Sequence, residues 1–247
     1  MELGFKDKVA LVTGTGSQIG MARAIALALA AEGCDIVSSD MDGEGAQKTA
    51  DDVKALGRQA LSFKTDVSNQ QAVNEMVKAA LDACGKIDIL INAAGGTAAA
   101  GPIIQASEEK WEKDIAVNFF GSMYCAKAVL PGMIERKSGK IVNFSTGIAL
   151  TGMPGSSSYA GSKAAIQSFT KCLSLEVGPS GINVNCLSPT MVMTNFGTHA
   201  TMDPKRAEEM AARMPLRRLT TVQDIANLVV FLASDAASGM TGQVISI

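Results

Sequence analysis

Short runs of apolar residues alternate along the chain with longer segments in which apolar positions recur every three or four residues. The short runs are almost continuously apolar, as strands buried on both faces of a sheet are. They predict seven β-strands, at residues 9–13, 34–38, 60–64, 87–91, 140–144, 182–187 and 243–247.

The longer segments predict helices, at residues 19–32, 44–56, 69–84, 107–136, 158–177, 204–213 and 222–233. Gly33, Gly57 and Gly85 end the first three, and the fourth is expected to bend or break near Gly121. Regular alternation of strand and helix predicts a parallel sheet covered by helices on both faces. We therefore predict a single doubly wound α/β domain over residues 1–247.

Composition and charge narrow the range of partners. The 247 residues are 47% hydrophobic and 19% charged, which suits one domain with a large core. The net charge of −2 offers no broad basic surface, so we expect no nucleic-acid partner. The five cysteines are scattered without a C-x-x-C pair, so neither a disulfide framework nor a metal site is expected. With no signal-peptide core and no membrane-length apolar run, we expect a cytoplasmic protein without a membrane partner.

Residues 12–20, VTGTGSQIG, lie between the first predicted strand and the first predicted helix. In a dinucleotide-binding fold the backbone N–H groups and the helix dipole at this place bind a pyrophosphate. The glycines Gly14, Gly16 and Gly20 are spaced one residue wider than the G-x-G-x-x-G fingerprint. The segment is therefore either a nucleotide-binding loop or only a tight turn.

An acidic residue follows the second predicted strand, where such folds place the group that binds the adenosine ribose. Asp40 ends the run SSD at this point, and no arginine or lysine lies beside it in the sequence. Its carboxylate would accept hydrogen bonds from both ribose hydroxyls and repel a 2′-phosphate, which favours NAD over NADP. The alternative is that Asp40 only caps the helix that starts near Gly43.

The glycine spacing resembles that of the short-chain dehydrogenase/reductase family, whose loop reads T-G-x-x-x-G-x-G. Thr13, Gly14 and Gly20 match this pattern, and Gln18 replaces its middle glycine. The side chain of Gln18 must therefore be directed away from the phosphates or change the local turn.

Further motifs of the same family follow in order over nearly the whole chain. Asp66 in TDV matches the acid that binds the adenine amino group, and NAAG at 92–95 stands for N-N-A-G. Asn118 matches the family's helical asparagine, YAGSK at 159–163 is a full Y-x-x-x-K, and PTMVMT at 189–194 resembles P-G-x-x-x-T.

The resemblance implies a Rossmann-like fold that binds NAD. By that likeness, the residues expected to contact the cofactor are Gly14, Gln18, Ile19, Gly20, Asp40, Asp66, Val67, Asn92, Ala94, Gly95, Tyr159, Lys163, Pro189, Val192 and Thr194.

The catalytic group implied by the resemblance is Asn118, Thr146, Tyr159 and Lys163. Tyr159 and Lys163 are four residues apart and share one face of a helix. An adjacent ammonium is expected to lower the tyrosine pKa from about 10 and make it a better base. Lys163 would also hold the nicotinamide ribose, and Asn118 would hold a water that links Lys163 to solvent. Taken without the other motifs, YAGSK is more typical of a polar pair on a helix surface.

The family places a serine thirteen residues before the tyrosine, where it binds the substrate oxygen. Thr146 occupies that position, and its hydroxyl donates the same hydrogen bond. Ser145, its neighbour, is the alternative.

Residues 194–215 correspond to the mobile lid over the nicotinamide in the family. Methionines in and near this stretch suit an adaptable apolar pocket. Lys205 and Arg206 are candidates for contact with a phosphate or coenzyme A tail. His199, the only histidine, is expected to be a lid residue.

The leading interpretation is an NAD(H)-dependent oxidoreductase that interconverts a secondary alcohol and a ketone. A hydroxyacyl thioester and a small hydrophobic alcohol are both candidate substrates. Two alternatives stay open: a 3-oxoacyl-thioester reductase and a non-catalytic dinucleotide-binding regulator. The apolar helices and the edge strand predict a homotetramer.

Overall fold

The structure is a computed structural model that describes residues 3–194 and 203–247. These residues form a single sheet of seven parallel strands in the order β3-β2-β1-β4-β5-β6-β7. The strands are β1 (Val9–Thr13), β2 (Asp35–Asp40), β3 (Ala60–Lys64), β4 (Ile89–Asn92), β5 (Gly139–Phe144), β6 (Ile182–Ser188) and β7 (Val244–Ser246). The predicted doubly wound parallel sheet is confirmed. β2 runs further than predicted because Asp40 still pairs in register with Lys64 of β3.

Helices cover both faces of this sheet. They are α1 (Met21–Ala31), α2 (Gly43–Ala55), α3 (Gln70–Cys84), α4 (Glu108–Ile115), α5 (Gly121–Glu135), α6 (Ile148–Thr151), α7 (Ser157–Val177), α8 (Pro204–Ala211) and α9 (Val222–Ala233). The short helix α6 was not predicted, because four residues are too few to show a helical period.

The long helix predicted over residues 107–136 is three consecutive segments. A π-helical turn at Ala116–Phe120 joins α4 to α5, and Gly121 starts α5. The predicted interruption near Gly121 is therefore real, and its cause is the wider π-helical hydrogen bonding before that residue. Such single turns inside a helix occur often at functional sites.

Two apolar cores hold the layers together, one on each face of the sheet. On one face α1 packs against α9, and Ile25, Leu29 and Val229 are fully buried there. On the other face α3 packs against α5, with Val73 and Met133 in the contact. Burial on both faces explains why the strands are almost continuously apolar.

The order of the strands creates a crevice. β1 has β2 on one side and β4 on the other, so the chain changes direction across the sheet between these two neighbours. The loops after β1 and β4 therefore diverge at the carboxyl edge of the sheet. In open α/β sheets this switch point is where ligands bind.

The loop after β1 packs tightly against the start of α2. A Cβ at Gly45 would overlap the carbonyl oxygen of Gly16 and lie 2.6 Å from Oδ2 of Asp42. Gln18 closes the same corner, since its Nε2 donates to the carbonyls of Gly16 (3.0 Å) and Gly45 (3.2 Å). The glycine-rich loop and α2 are therefore fixed to one another at the edge of the crevice.

Among the helices of the described residues, none has both the length and the apolar character needed to cross a membrane.

The contact at Gly45 gives a prediction about stability. Gly45→Ala should lower the free energy of unfolding by about 1 to 3 kcal/mol, because the new methyl group must displace the backbone of Gly16. Gly178→Ala is the matched control, since a Cβ at Gly178 meets no atom within 4 Å and its φ of −54° is helical. Urea-induced unfolding at one protein concentration measures both. Equal stability of the two variants would contradict the close packing.

Candidate active site

A cavity of about 550 Å³ opens at the carboxyl edge of the sheet, between the loops that follow β1 and β4. Several of the predicted cofactor residues line it: Gly14, Gly20, Asp40, Asp66, Val67, Ala94, Gly95 and Thr194. The others, Gln18, Ile19, Asn92, Tyr159, Lys163, Pro189 and Val192, are not part of this lining. The lining also includes residues that the sequence did not single out, among them Ser17, Met21, Met41, Thr65 and Thr97.

The glycine-rich loop forms one wall of the cavity. Gly14 has a φ of +84°, and a Cβ there would lie 2.8 Å from the backbone nitrogen of Ala94. The hydroxyl of Thr13 accepts hydrogen bonds from the backbone nitrogens of Ala93 and Ala94, both at 3.1 Å. The loops after β1 and β4 therefore touch, and Gly20 and Met21 at the start of α1 line the space beside them. This open cradle at a helix N-terminus suits the pyrophosphate of a dinucleotide.

Gln18, which replaces the family's middle glycine, is compatible with this cradle. Its amide group is bonded to the carbonyls of Gly16 and Gly45, so it is directed toward α2. The side chain of Ile19 is 56% exposed and lies outside the lining as well. The departure from the family's loop therefore fills a corner behind the cavity and does not obstruct it.

Asp40 lies at the edge of the cavity, at the end of β2. Its carboxylate accepts from the backbone nitrogen of Gly16 and from that of Asp42, both at 2.8 Å. The cap of α2 is Asp42, whose Oδ1 accepts from the nitrogen of Gly45 at 3.1 Å. The capping alternative for Asp40 is therefore wrong.

Asp40 has a basic neighbour in the three-dimensional structure. No basic residue adjoins it in the sequence, but Lys64 is its register neighbour on β3. The stem of Lys64 packs near Gly43, where a Cβ would lie 3.0 Å from that of the lysine. An exposed lysine therefore lies near the edge of the cavity that Asp40 borders.

Asp66 and Val67 follow β3 and line the same end of the cavity. The carboxylate of Asp66 accepts from the backbone nitrogen of Ser68 at 2.9 Å and from its hydroxyl at 2.7 Å. Asp66 is exposed and Val67 is buried, which leaves a polar group and an apolar surface side by side. This pair suits the amino group and the face of an adenine.

Asn92 has a supporting position behind the cavity. Its side-chain nitrogen donates to Oδ1 of Asn143 at 2.9 Å and to the carbonyl of Ser122 at 3.2 Å. Asn143 in turn donates to the hydroxyl of Thr170 at 3.0 Å. This buried polar chain links β4, β5, α5 and α7. The side chain of Asn92 therefore has its partners within the protein, and its contact with a cofactor stays a prediction.

Asn118 lies in the π-helical turn and is fully buried. Its Nδ2 donates to the carbonyls of Gly96 and Asp114, both at 2.8 Å, and its Oδ1 accepts from the nitrogen of Gly96 at 3.1 Å. Asn118 therefore binds both the backbone N–H and the carbonyl of Gly96, which fixes the loop after β4.

Lys163 comes within reach of the same loop. A Cβ at Gly95 would lie 2.8 Å from Oδ1 of Asn118 and 3.1 Å from Nζ of Lys163, so these three residues meet. Lys163 is buried, with 5% of its surface exposed, and its ammonium donates to the carbonyl of Phe144 at 2.9 Å. Burial lowers the pKa of Lys163 to about 8, and the neighbouring thiol of Cys186 acts in the opposite direction.

Tyr159 is hydrogen-bonded to the side chain of Thr146. Burial raises the pKa of Tyr159 to about 12; the bond to Thr146 lowers it and the charge of Asp114 raises it. The expected lowering of this pKa by Lys163 is therefore wrong for the chain by itself, because loss of water around the phenol outweighs every other influence.

The structure separates the two candidates for binding the substrate oxygen. The hydroxyl of Ser145 donates to the carbonyl of Lys163 at 2.8 Å and accepts from Nε2 of Gln167 at 2.9 Å. Ser145 is also buried, whereas Thr146 is half-buried and reaches Tyr159. Thr146 is therefore the better placed of the two hydroxyls.

The segment after β6 borders the far side of the cavity. Thr194 is buried in the lining, and Val192 is buried beside it in a bridge to Thr220. The carbonyl of Pro189 accepts from the nitrogen of Gly147 at 2.9 Å, so this residue supports the turn that carries Thr146. Of the predicted lid at 194–215, residues 195–202 lie outside the described residues, and with them His199.

Asp114 and Ser158 lie close to Tyr159, and the sequence motifs did not indicate either of them. Asp114 is 2% exposed and accepts from the hydroxyl of Ser158 at 2.6 Å. The available signal was an acid one turn before Asn118 on the same helix, but surface acids at this spacing are common. Sequence spacing alone does not distinguish a buried carboxylate from an exposed one.

Comparison with known proteins agrees with this geometry. Residues 14–247 match a family model described as Enoyl-(Acyl carrier protein) reductase. The chain is 37% identical over 243 residues to the (2S)-((R)-hydroxy(phenyl)methyl)succinyl-CoA dehydrogenase subunit BbsD of Thauera aromatica, covering 98% of this chain and 96% of that protein. It is 34% identical over 242 residues to the 3-oxoacyl-(acyl-carrier-protein) reductase FabG of Staphylococcus epidermidis, covering 98% and 97%.

A solved structure extends the likeness to three dimensions. The crystal structure of NAD+-bound xylitol dehydrogenase superposes with a TM-score of 0.90 at 32% identity, covering 99% of this chain and 98% of that one. The family model, the two relatives and the xylitol dehydrogenase structure all cover the glycine-rich loop, the β4 loop and the Y-x-x-x-K helix of this chain. The chain therefore belongs to the short-chain dehydrogenase/reductase family of oxidoreductases, with a Rossmann-like dinucleotide-binding fold.

Proposed function

We propose that this chain interconverts a secondary alcohol and a ketone with NAD(H), and that Tyr159 exchanges the proton. The observation that carries the proposal is the meeting of Asn118, Lys163 and Gly95 beside a hydrogen-bonded Tyr159–Thr146 pair, next to a cavity shaped for a dinucleotide. The predicted contact residues Gly14, Gly20, Asp40, Asp66, Val67, Ala94, Gly95 and Thr194 would hold that dinucleotide.

The bound dinucleotide supplies the acceptor or donor of hydride. Thr146 donates a hydrogen bond to the substrate oxygen and thereby positions it against the phenol. In the reductive direction Tyr159 gives its proton to the carbonyl oxygen, and in the oxidative direction the phenolate takes the proton of the alcohol. Lys163, buried with a pKa of about 8, changes charge readily and is suited to pass the proton onward.

The raised pKa of Tyr159 has a consequence for the two directions. A phenol that keeps its proton is a ready donor for ketone reduction at neutral pH. Oxidation of an alcohol needs the phenolate, which a positive charge near the phenol stabilises. Oxidised NAD would supply such a charge when bound, and this charge would favour the basic form of Tyr159 in the direction that needs it.

NAD rather than NADP is the cofactor that we propose. The support is Asp40, which lies in the lining with its carboxylate oriented by Gly16 and Asp42. The NAD+ in the similar xylitol dehydrogenase supports the same choice for a related cavity. Lys64 is the observation that favours NADP, because an exposed ammonium near this end is able to meet a 2′-phosphate.

The substrate that we propose is a hydroxyacyl thioester or a small hydrophobic secondary alcohol. BbsD and FabG are named for a hydroxyl-bearing succinyl-CoA and a 3-oxoacyl carrier protein, so a β-hydroxyacyl thioester is the first choice. The chain is then a dehydrogenase or, as the alternative, a 3-oxoacyl-thioester reductase.

We also propose a homotetramer in the cytoplasm. Large apolar side chains are exposed on the helices of one face, including Ile115, Phe120 and Leu175. Such surfaces favour burial against further copies of the chain. The five cysteines are all unpaired, as in a reducing compartment.

The activity gives the first test of function. With NAD and a panel of secondary alcohols and 3-hydroxyacyl thioesters, we expect NADH to form with at least one substrate. Tyr159→Phe should lower kcat/KM by about 10²- to 10⁴-fold, because it removes the acid/base group. Tyr124→Phe is the control for loss of a phenol elsewhere. Binding of NAD without turnover of any substrate would instead favour the regulator.

Thr146 gives a second test, of the substrate-oxygen contact. Thr146→Ser should keep most of the activity, and Thr146→Val should lower kcat by about a hundredfold because the hydroxyl donor is lost at constant volume. Steady-state kinetics of the two variants decide the matter. Full activity in Thr146→Val would remove this hydroxyl from the mechanism.

Cofactor choice gives a third test. Asp40→Ala combined with Met41→Arg should shift the ratio of kcat/KM for NAD and NADP toward NADP by at least about tenfold, since a repelling charge is replaced by an attracting one. Lys64→Ala is the companion variant. If the unaltered chain prefers NADP and Lys64→Ala loses that preference, the lysine and not Asp40 governs the choice.

A further inference from the structure

Asp114 is a buried carboxylate that forms no ion pair with any residue in the described part of the chain. Its side chain lies in a residue that is only 2% exposed. Burial of an unpaired carboxylate is costly unless hydrogen bonds compensate. Such a group at the end of α4, directly before the π-helical turn, requires a structural or chemical reason.

The hydrogen bonds of Asp114 join two segments of the site. Its Oδ1 accepts from the backbone nitrogen of Ala98 at 2.5 Å, and its Oδ2 accepts from the hydroxyl of Ser158 at 2.6 Å. Ala98 belongs to the loop after β4, and Ser158 directly precedes Tyr159 in the first turn of α7. One carboxylate therefore connects the loop that borders the cavity to the helix that carries the tyrosine.

Asn118 acts on the same loop from the next turn of the helix. It holds Gly96 by both backbone groups, and it also donates to the carbonyl of Asp114. Asp114 and Asn118 thus fix alternate residues of one short stretch, with the cavity-lining Thr97 between them. Asp114 and Asn118 are four residues apart, so both side chains lie on the same side of the helix, against the loop.

We propose that Asp114 is a positioning residue for Tyr159, which fixes the first turn of α7 to the β4 loop and places a negative charge next to the turn that carries the phenol. This inference rests on the proposed function, because it assigns Tyr159 the role of acid and base. Asp114 acts through Ser158 and through its electric field.

Few charged groups of the described residues lie close to Tyr159, so the influence of Asp114 can be tested by itself. From α4 the charged group that acts on Tyr159 is Asp114. Lys163 follows four residues later on α7 and interacts with Cys186 of β6. The described segments at Ala116–Phe120 and Ile148–Thr151, and residues 93–106, contain no ionisable side chain. The charge of Asp114 is one of the influences that raise the pKa of Tyr159.

Asp114→Asn is the decisive variant. An asparagine retains an acceptor for Ala98 and places a donor against Ser158, but it removes the negative charge. We expect phenolate formation at Tyr159 to move to lower pH, because a like charge no longer opposes it. In alcohol oxidation, the acidic limb of the pH profile of kcat/KM should move in the same direction.

The chain offers a way to observe this titration without turnover. It contains two tyrosines, Tyr124 and Tyr159, so Tyr124→Phe leaves Tyr159 as the only phenol. The ultraviolet absorbance of phenolate in this background reports the ionisation of Tyr159 directly. If Asp114→Asn moves this titration while no substrate is turned over, the inference about Asp114 stands and the proposed function fails.

Two further variants separate positioning from charge. Ser158→Ala keeps the carboxylate but cuts its link to α7, and it should lower kcat by about ten- to a hundredfold with little shift of the phenolate titration. Ser158→Thr keeps the hydroxyl and should restore most of the rate. Glu112→Gln, an exposed charge change on the same helix, is the matched control and should alter neither property.

Unchanged titration in Asp114→Asn would overturn the charge role. Unchanged kcat in Ser158→Ala would overturn the positioning role, and this variant stays informative if Asp114→Asn does not fold.

Discussion

The site depends on how closely the ends of β1 and β4 approach one another. At Gly14 and at Gly95 the space that a Cβ would need is already occupied, by the backbone of Ala94 in one case and by Asn118 and Lys163 in the other. Glycine at these two points lets two diverging loops touch before they separate around the cavity. The loops that border the dinucleotide cavity thus also contact the polar side chains of Asn118 and Lys163. Any bulk added where the loops touch would change the cavity and these side chains at once.

Burial next to these loops sets the chemistry of the polar groups. Lys163 and Tyr159 both lose water, and the loss shifts each toward its neutral form, which for the lysine means a lower pKa and for the tyrosine a higher one. Neighbouring groups then adjust this balance in small steps, through Thr146, Asp114 and Cys186. A site built in this way responds strongly to any charge that a ligand brings, because little water is present to screen it.

The sequence predicted the layered sheet well, since buried parallel strands and amphipathic helices have distinct periods. The motifs also predicted that Gly14, Asp40 and Gly95 line the cavity. These residues lie at or just after the ends of parallel strands, and the carboxyl ends of parallel strands meet at one edge of the sheet. Contacts between distant segments were not predictable. The neighbourhood of Asp40 and Lys64 depends on strand register, and the burial of Asp114 depends on the face that α4 presents. The spacing of Tyr159 and Lys163 predicts a lowered tyrosine pKa, but burial of the phenol, which the sequence does not reveal, raises it.

The π-helical turn at Ala116–Phe120 has a consequence for how this site can change over time. Such a turn contains one residue more than an α-helical turn, and one residue corresponds to about 100° of rotation. Deletion of a single residue there would convert the turn to α-helix and rotate α4 relative to α5. Either the core contacts of Cys125 and Val129 or the hydrogen bonds from Asn118 to the loop after β4 would then be lost. Insertions and deletions are therefore far less tolerable in this stretch than the exchange of one side chain for another.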